Sequence, residues 1–147
     1  MRDILFRGKI KGEHKGVYEL DWAFGDVVKE LSTGRVLICD LSHFDEHTLL
    51  KDVLIEVIPE TVGQDTGRKD KNGKKFFEGD ICTIHEDLLE DELTALITFD
   101  EHKGKYLVKQ YDPFSHKHIQ TGDFDDWIKL DHFEVIGNIH DNPELLK

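Results

Sequence analysis

The sequence predicts a mainly β protein made of two small β subdomains. Three observations carry that expectation. Short apolar runs rich in β-branched and aromatic residues recur along the 147-residue chain. Clusters of Gly, Pro, Asn and Asp separate those runs at short intervals. Helical signals are confined to one or two short turns.

The elements follow in order. Ile4 to Ile10 and Val17 to Trp22 read as a hairpin around Lys11-Gly12-Glu13-His14-Lys15-Gly16. Phe24 to Val28 extends the pattern, Ser32-Thr33-Gly34 turns the chain, and Arg35 to Cys39 returns. Between Leu41 and Leu50, Ser42 with Asp45 resembles a helix start, and Leu41, Phe44, Thr48 and Leu49 fall near one helical face. Val53 to Ile58 is dense in β-branched residues, and Pro59 ends it because it lacks the amide that a ladder needs.

The division falls after residue 62, giving subdomains 1–62 and 63–147. Asn72-Gly73 predicts a tight type I′ turn, which demands positive φ at both positions. Gly79-Asp80 leads into Ile81 to His85 as in small SH3-like barrels, so the second subdomain is expected to be barrel-like. Glu86 to Glu92 reads as a loop or a helical turn. Leu93, Ala95, Ile97 and Phe99 alternate with Thr94, Leu96 and Thr98, as in a half-buried strand. Tyr106 to Tyr111, Phe124 to Leu130 and Phe133 to Ile139 complete the expected strands. Asn142-Pro143 has the order of a cap followed by Pro at the first helical position.

The chain carries 31 acidic against 19 basic residues, a net charge of −12. That field repels a phosphate backbone, so nucleic acid is disfavoured and basic protein partners are favoured. Cys39 and Cys82 match no metal spacing and lie in apolar runs, so both are expected as buried free thiols in a reducing cytoplasm. Met1 to Arg7 lacks the features of a signal peptide, and no stretch reaches the roughly 18 apolar residues of a membrane span. The expected location is the cytoplasm of the host cell.

Val57-Ile58-Pro59-Glu60-Thr61-Val62-Gly63-Gln64, Thr66-Gly67, Lys69 to Lys75, Phe77-Glu78-Gly79-Asp80-Ile81, Phe133 to Ile139 and Asp141 to Leu146 together resemble the YopX family. The opening Phe6-Arg7-Gly8-Lys9 is similar. The resemblance implies a phage or prophage protein of Gram-positive bacteria with a mostly β fold. It implies no activity, cofactor or catalytic residue, and Cys39 to Lys51 and Glu86 to Leu93 match none of its patterns.

For chemistry, His43-Phe44-Asp45-Glu46-His47 fits H-x-x-E-H. On a helix, His43 and His47 would hold zinc and Glu46 would activate water. Two ordinary histidines in a polar segment explain the same string. Asp70, Asn72, Gly73 and Glu78 do not fit a calcium loop, because the glycine is misplaced. Arg68, Lys69, Lys71, Lys74 and Lys75, followed by Phe76-Phe77, form the one dense basic cluster and the binding loop of choice. A solvated hairpin tip is the alternative there. His116, Lys117, His118, His132 and His140 have no metal-type spacing. We assign no catalytic residue, metal or cofactor. The expected role is non-enzymatic, namely binding of a protein partner or self-assembly into a homo-oligomer. The alternatives are an acidic decoy of a host nucleic-acid-binding protein and a zinc hydrolase through His43, Glu46 and His47.

Overall fold

The computed structural model describes residues 3–12, 21–42, 44–85, 92–127 and 132–147. The fold is mainly β, with two antiparallel sheets. The chain divides into two units, Met1–Asp65 and Thr66–Lys147. Among the described residues no helix is long and apolar enough to cross a membrane.

The first unit holds β1 (Phe6–Lys9), β2 (Trp22–Lys29), β3 (Val36–Cys39), α1 (Leu50–Val53) and β4 (Leu54–Val57). β5 (Gly63–Lys69) begins there and continues into the second unit, where β6 (Lys75–Phe77) follows. The strand order is β4-β3-β2-β1-β5-β6. Register places Ile38 opposite Ile55 and Val36 opposite Val57. Since alternate side chains share a face, Ile10, Ala23, Ile38, Ile55 and Val57 gather as a small core. The sheet curls until the end of β1 reaches β4. Ile10 bridges Val57, the Lys11 amide donates to Glu56 O, and the Ile58 amide donates to Lys9 O. Gly8 permits this approach, because a Cβ there would lie 2.8 Å from Val57 Cγ2.

Two expectations for this unit change. Residues 13–20 of the first hairpin lie outside the described residues, although β1 and β2 do pair, from Phe6↔Gly25 to Lys9↔Trp22. The helix expected over 41–50 is displaced to Leu50–Val53. Asp45 explains the shift: its carboxylate accepts the His47 amide and the Thr48 hydroxyl, which closes a turn instead of capping a helix. Pro59 opens a 3-10 turn, Pro59–Thr61, as its missing amide allows. The buried Thr61 hydroxyl ties that turn down by accepting the Lys9 amide and donating to Ile58 O.

The second unit adds β7 (Asp80–Ile84), β8 (Leu93–Asp100), β9 (Lys105–Tyr111), β10 (His118–Asp123), α2 (Phe124–Trp127) and β11 (Phe133–Asn138), with a closing 3-10 turn at Pro143–Leu146. The sheet order is β10-β9-β8-β7-β11. Cys82, Ile84, Ala95, Ile97, Val108, Phe133 and Val135 converge on one core with Phe76 and Phe124. The Phe76 ring meets Phe124 at 5.5 Å and Phe133 at 6.2 Å, both edge to face. Both cysteines are free thiols; Cys82 is buried, whereas Cys39 is only half-buried.

Here too the structure corrects the sequence. Phe124 to Trp127 is helical, not a strand, because three-residue spacing brings both Phe124 and Trp127 onto the core. Trp127 lies where a Cβ on residue 122 would stand, so Gly122 makes room for it. Asn142 does stand at the N-cap of the last turn with Pro143 after it, but its side chain makes no cap bond and its oxygen instead accepts the Asn138 amide. The expected barrel is an open sheet. Closure needs the outermost strands to pair, and among the described residues β10 and β11 do not. The free edge of β11 is taken by the β5–β6 turn: Lys71 donates its amide to Phe133 O, and the Val135 amide donates to Asp70 Oδ2.

That turn is built on Asp70. Its Oδ1 accepts the amides of Asn72 and Lys74, at 2.9 and 2.8 Å. Gly73 donates to Asp70 O, and Asp70 donates to Lys74 O. Only Gly73 has positive φ, +81°, so the loop is not the type I′ turn expected from Asn72-Gly73. It is a three-residue loop with glycine at the left-handed position. Burial pushes the Asp70 pKa up. The amides of Val135, Lys74 and Asn72, and the charge of Lys74, outweigh that and hold it below its ordinary value.

Two predictions follow from these turns. Asp70→Asn presents a donor where a carboxylate accepted amides, and should lower stability by about 2–3 kcal/mol in urea unfolding. Because the native pKa is depressed, the carboxylate's stabilisation is complete above about pH 4 and is lost as pH falls further. The gap between wild type and variant should therefore narrow on acidification; a gap independent of pH refutes the assignment. The second concerns three four-residue loops closed by an amide four positions on: Gly34 to Glu30 O, Gly104 to Asp100 O and His116 to Asp112 O. Two end on a left-handed glycine, but the third ends on His116 at φ +54°. His116→Gly should raise stability by about 1 kcal/mol at pH 8, read from the thermal midpoint.

Candidate functional site

Asp70 fixes the β5–β6 turn while its neighbours project outward. Arg68, Lys69, Lys71, Lys74 and Lys75 are all exposed, so the hairpin does present the predicted cations together. Two of them meet carboxylates. Arg68 Nη2 lies 3.1 Å from Asp125 Oδ1, and Lys71 Nζ lies 2.6 Å from Glu134 Oε2. Lys69 and Lys74 have no carboxylate at ion-pair distance among the described residues. The Asp70 carboxylate is engaged by three backbone amides.

Lys71 continues into a cluster that sequence reasoning missed. Glu134, at the start of β11, also lies 3.7 Å from His85 Nε2. His85 Nδ1 lies 2.8 Å from Glu92 Oε1. The Lys71 hydrogen bond lowers the Glu134 pKa first; partial burial opposes it, and the charges of Lys71 and His85 add to the lowering. β-sheet register assembles this row: Glu134 faces Thr83 across β11 and β7, and the His85 amide donates to His132 O. Lysine, carboxylate, imidazole and carboxylate thus alternate in a row, with the Lys71–Glu134 ion pair at its head. No local motif links positions 71, 85, 92 and 134.

The other candidates are dispersed. His43 lies outside the described residues. Glu46 and His47 are 3.5 Å apart in an exposed turn, and residues 44–49 do not form the helix that H-x-x-E-H requires. Among the described residues no three His, Cys, Asp or Glu side chains are grouped to hold a metal. His116 ends a loop, His118 stacks edge-on against Tyr111 at 5.7 Å, and the His140 amide donates to Asn138 Oδ1.

Comparison with known proteins agrees with this architecture. A solved structure similar to this chain is the crystal structure of protein EF1440 from Enterococcus faecalis, 21% identical, with 99% of each chain covered and a TM-score of 0.54. At that identity the likeness concerns the fold. The comparison with curated proteins gives no match. The family model described as YopX protein matches residues 11–147, nearly the whole chain. The turn-rich strings around Asp70 and Asn138 lie within that match, and the chain belongs to the YopX family.

Proposed function

We propose that this chain is a phage- or prophage-encoded accessory protein that binds another protein in the bacterial cytoplasm and performs no chemistry of its own. The observation that carries the reading is a run of large apolar side chains left in water in the first unit. Leu41, Phe44, Leu49 and Leu50 are 52%, 56%, 56% and 64% exposed. Single exposed apolar residues are ordinary, but a local concentration of them is the mark of a docking surface. Local carboxylates hold the segment in place, since Asp45 accepts the His47 amide and Asp52, in α1, accepts the Leu49 amide. The −12 charge favours a basic partner. That charge also supports a second reading, an acidic decoy of a host nucleic-acid-binding protein.

Cross-linking in lysogenic cells tests the proposal. Wild-type bait should retain a specific protein that Phe44→Ser/Leu50→Ser bait loses, with both baits equally folded. Equal recovery by the two baits, or no partner with either, sinks it. If the decoy reading holds, the captured protein is a nucleic-acid binder and releases its DNA when this protein is added.

A further inference from the structure

We infer that the outer edge of β10 is a strand-addition site for an extended, acidic segment of another protein. This rests on the reading of the chain as a protein-binding body, and places a second surface on the other unit. Sheet edges expose unpaired amides and carbonyls, which proteins normally cover. β4 is covered by Lys9–Lys11, and β11 by Asp70 and Lys71. β10 pairs with β9 on one side, and among the described residues no backbone group hydrogen-bonds to its other side.

Three features suit that edge to a ligand. Most of it is ordered before binding: Gln120 Nε2 donates to the buried Gln110 Oε1 at 2.7 Å, and beyond a register shift between His118 and Gln120 pairing is regular from Gln120↔Gln110 to Asp123↔Leu107. A rigid edge loses little entropy on docking. It offers apolar contacts, with Ile119 49% exposed and Phe114, in the preceding loop, 76% exposed. Its charge is inverted relative to the chain. Residues 105–123 hold three lysines and two aspartates, a net +1 within a protein of −12. Lys105 pairs with Asp123, but Lys109 and Lys117 have no carboxylate at ion-pair distance among the described residues. An incoming strand with acidic side chains would supply it, while backbone ladder bonds supply affinity.

The probe is a fluorescent peptide of about ten residues alternating glutamate with valine and threonine, beside its lysine counterpart. The glutamate peptide should bind the full chain and slow amide exchange at Gln120 to Asp123. Lys109→Glu/Lys117→Glu should weaken it by about tenfold without changing the thermal midpoint. Equal binding of the lysine peptide, unchanged exchange in β10, or indifference to the charge reversal overturns the inference. So does a dimer of the free chain whose β10 amides are already protected. Cellular capture reads the other unit: a null peptide result with capture intact removes this edge alone, and the converse removes the apolar segment alone.

Discussion

The second unit depends on one buried carboxylate. Asp70 takes amides from its own turn through Oδ1 and from Val135 of β11 through Oδ2. A charged acceptor in a poorly solvated place is tolerable only when donors replace water, and three do. The same group therefore sets the hairpin turn, fastens that hairpin to β11 and covers an edge that would otherwise be exposed. It also aims Lys71 at Glu134, from which the row through His85 to Glu92 continues. The basic loop owes its position to an acid.

The first unit solves its own edge differently. Its strands are short and its core has few members, so the sheet must curl tightly to enclose them. The curl brings the end of β1 to β4, and a glycine stands where a side chain would collide with Val57. Backbone bonds on either side of Ile10 then cover the β4 edge. With the β4 and β11 edges covered, β10 keeps its outer side free among the described residues, and the apolar side chains between β3 and α1 are the contrast in the first unit.

Much of the fold was legible. β3, β4, β7, β8, β9 and β11 carry enough apolar or β-branched residues to declare themselves, because each buries its own side chains. Three strands escaped, the short β6 and two longer polar ones. β5 reads Gly-Gln-Asp-Thr-Gly-Arg-Lys and β10 reads His-Ile-Gln-Thr-Gly-Asp, both polar. They form because neighbouring strands provide a ladder, not because their side chains seek burial. Phe124 to Trp127 misled for the opposite reason: its apolar residues suit a strand, but the core lies where helical spacing delivers them. The basic loop was visible as composition, whereas the partners that neutralise Arg68 and Lys71 lie more than fifty residues away.

By itself the sequence determined the family, through its motif strings, and the β character, the positions of most turns and the basic hairpin, which follow from local preferences of Gly, Asn, Pro and β-branched residues. Only the tertiary structure decided which carboxylate anchors that hairpin, which sheet edges are covered, and which charges find partners. Those outcomes depend on distances between residues remote in the chain, and backbone hydrogen bonds, which set them, are made by every residue type alike.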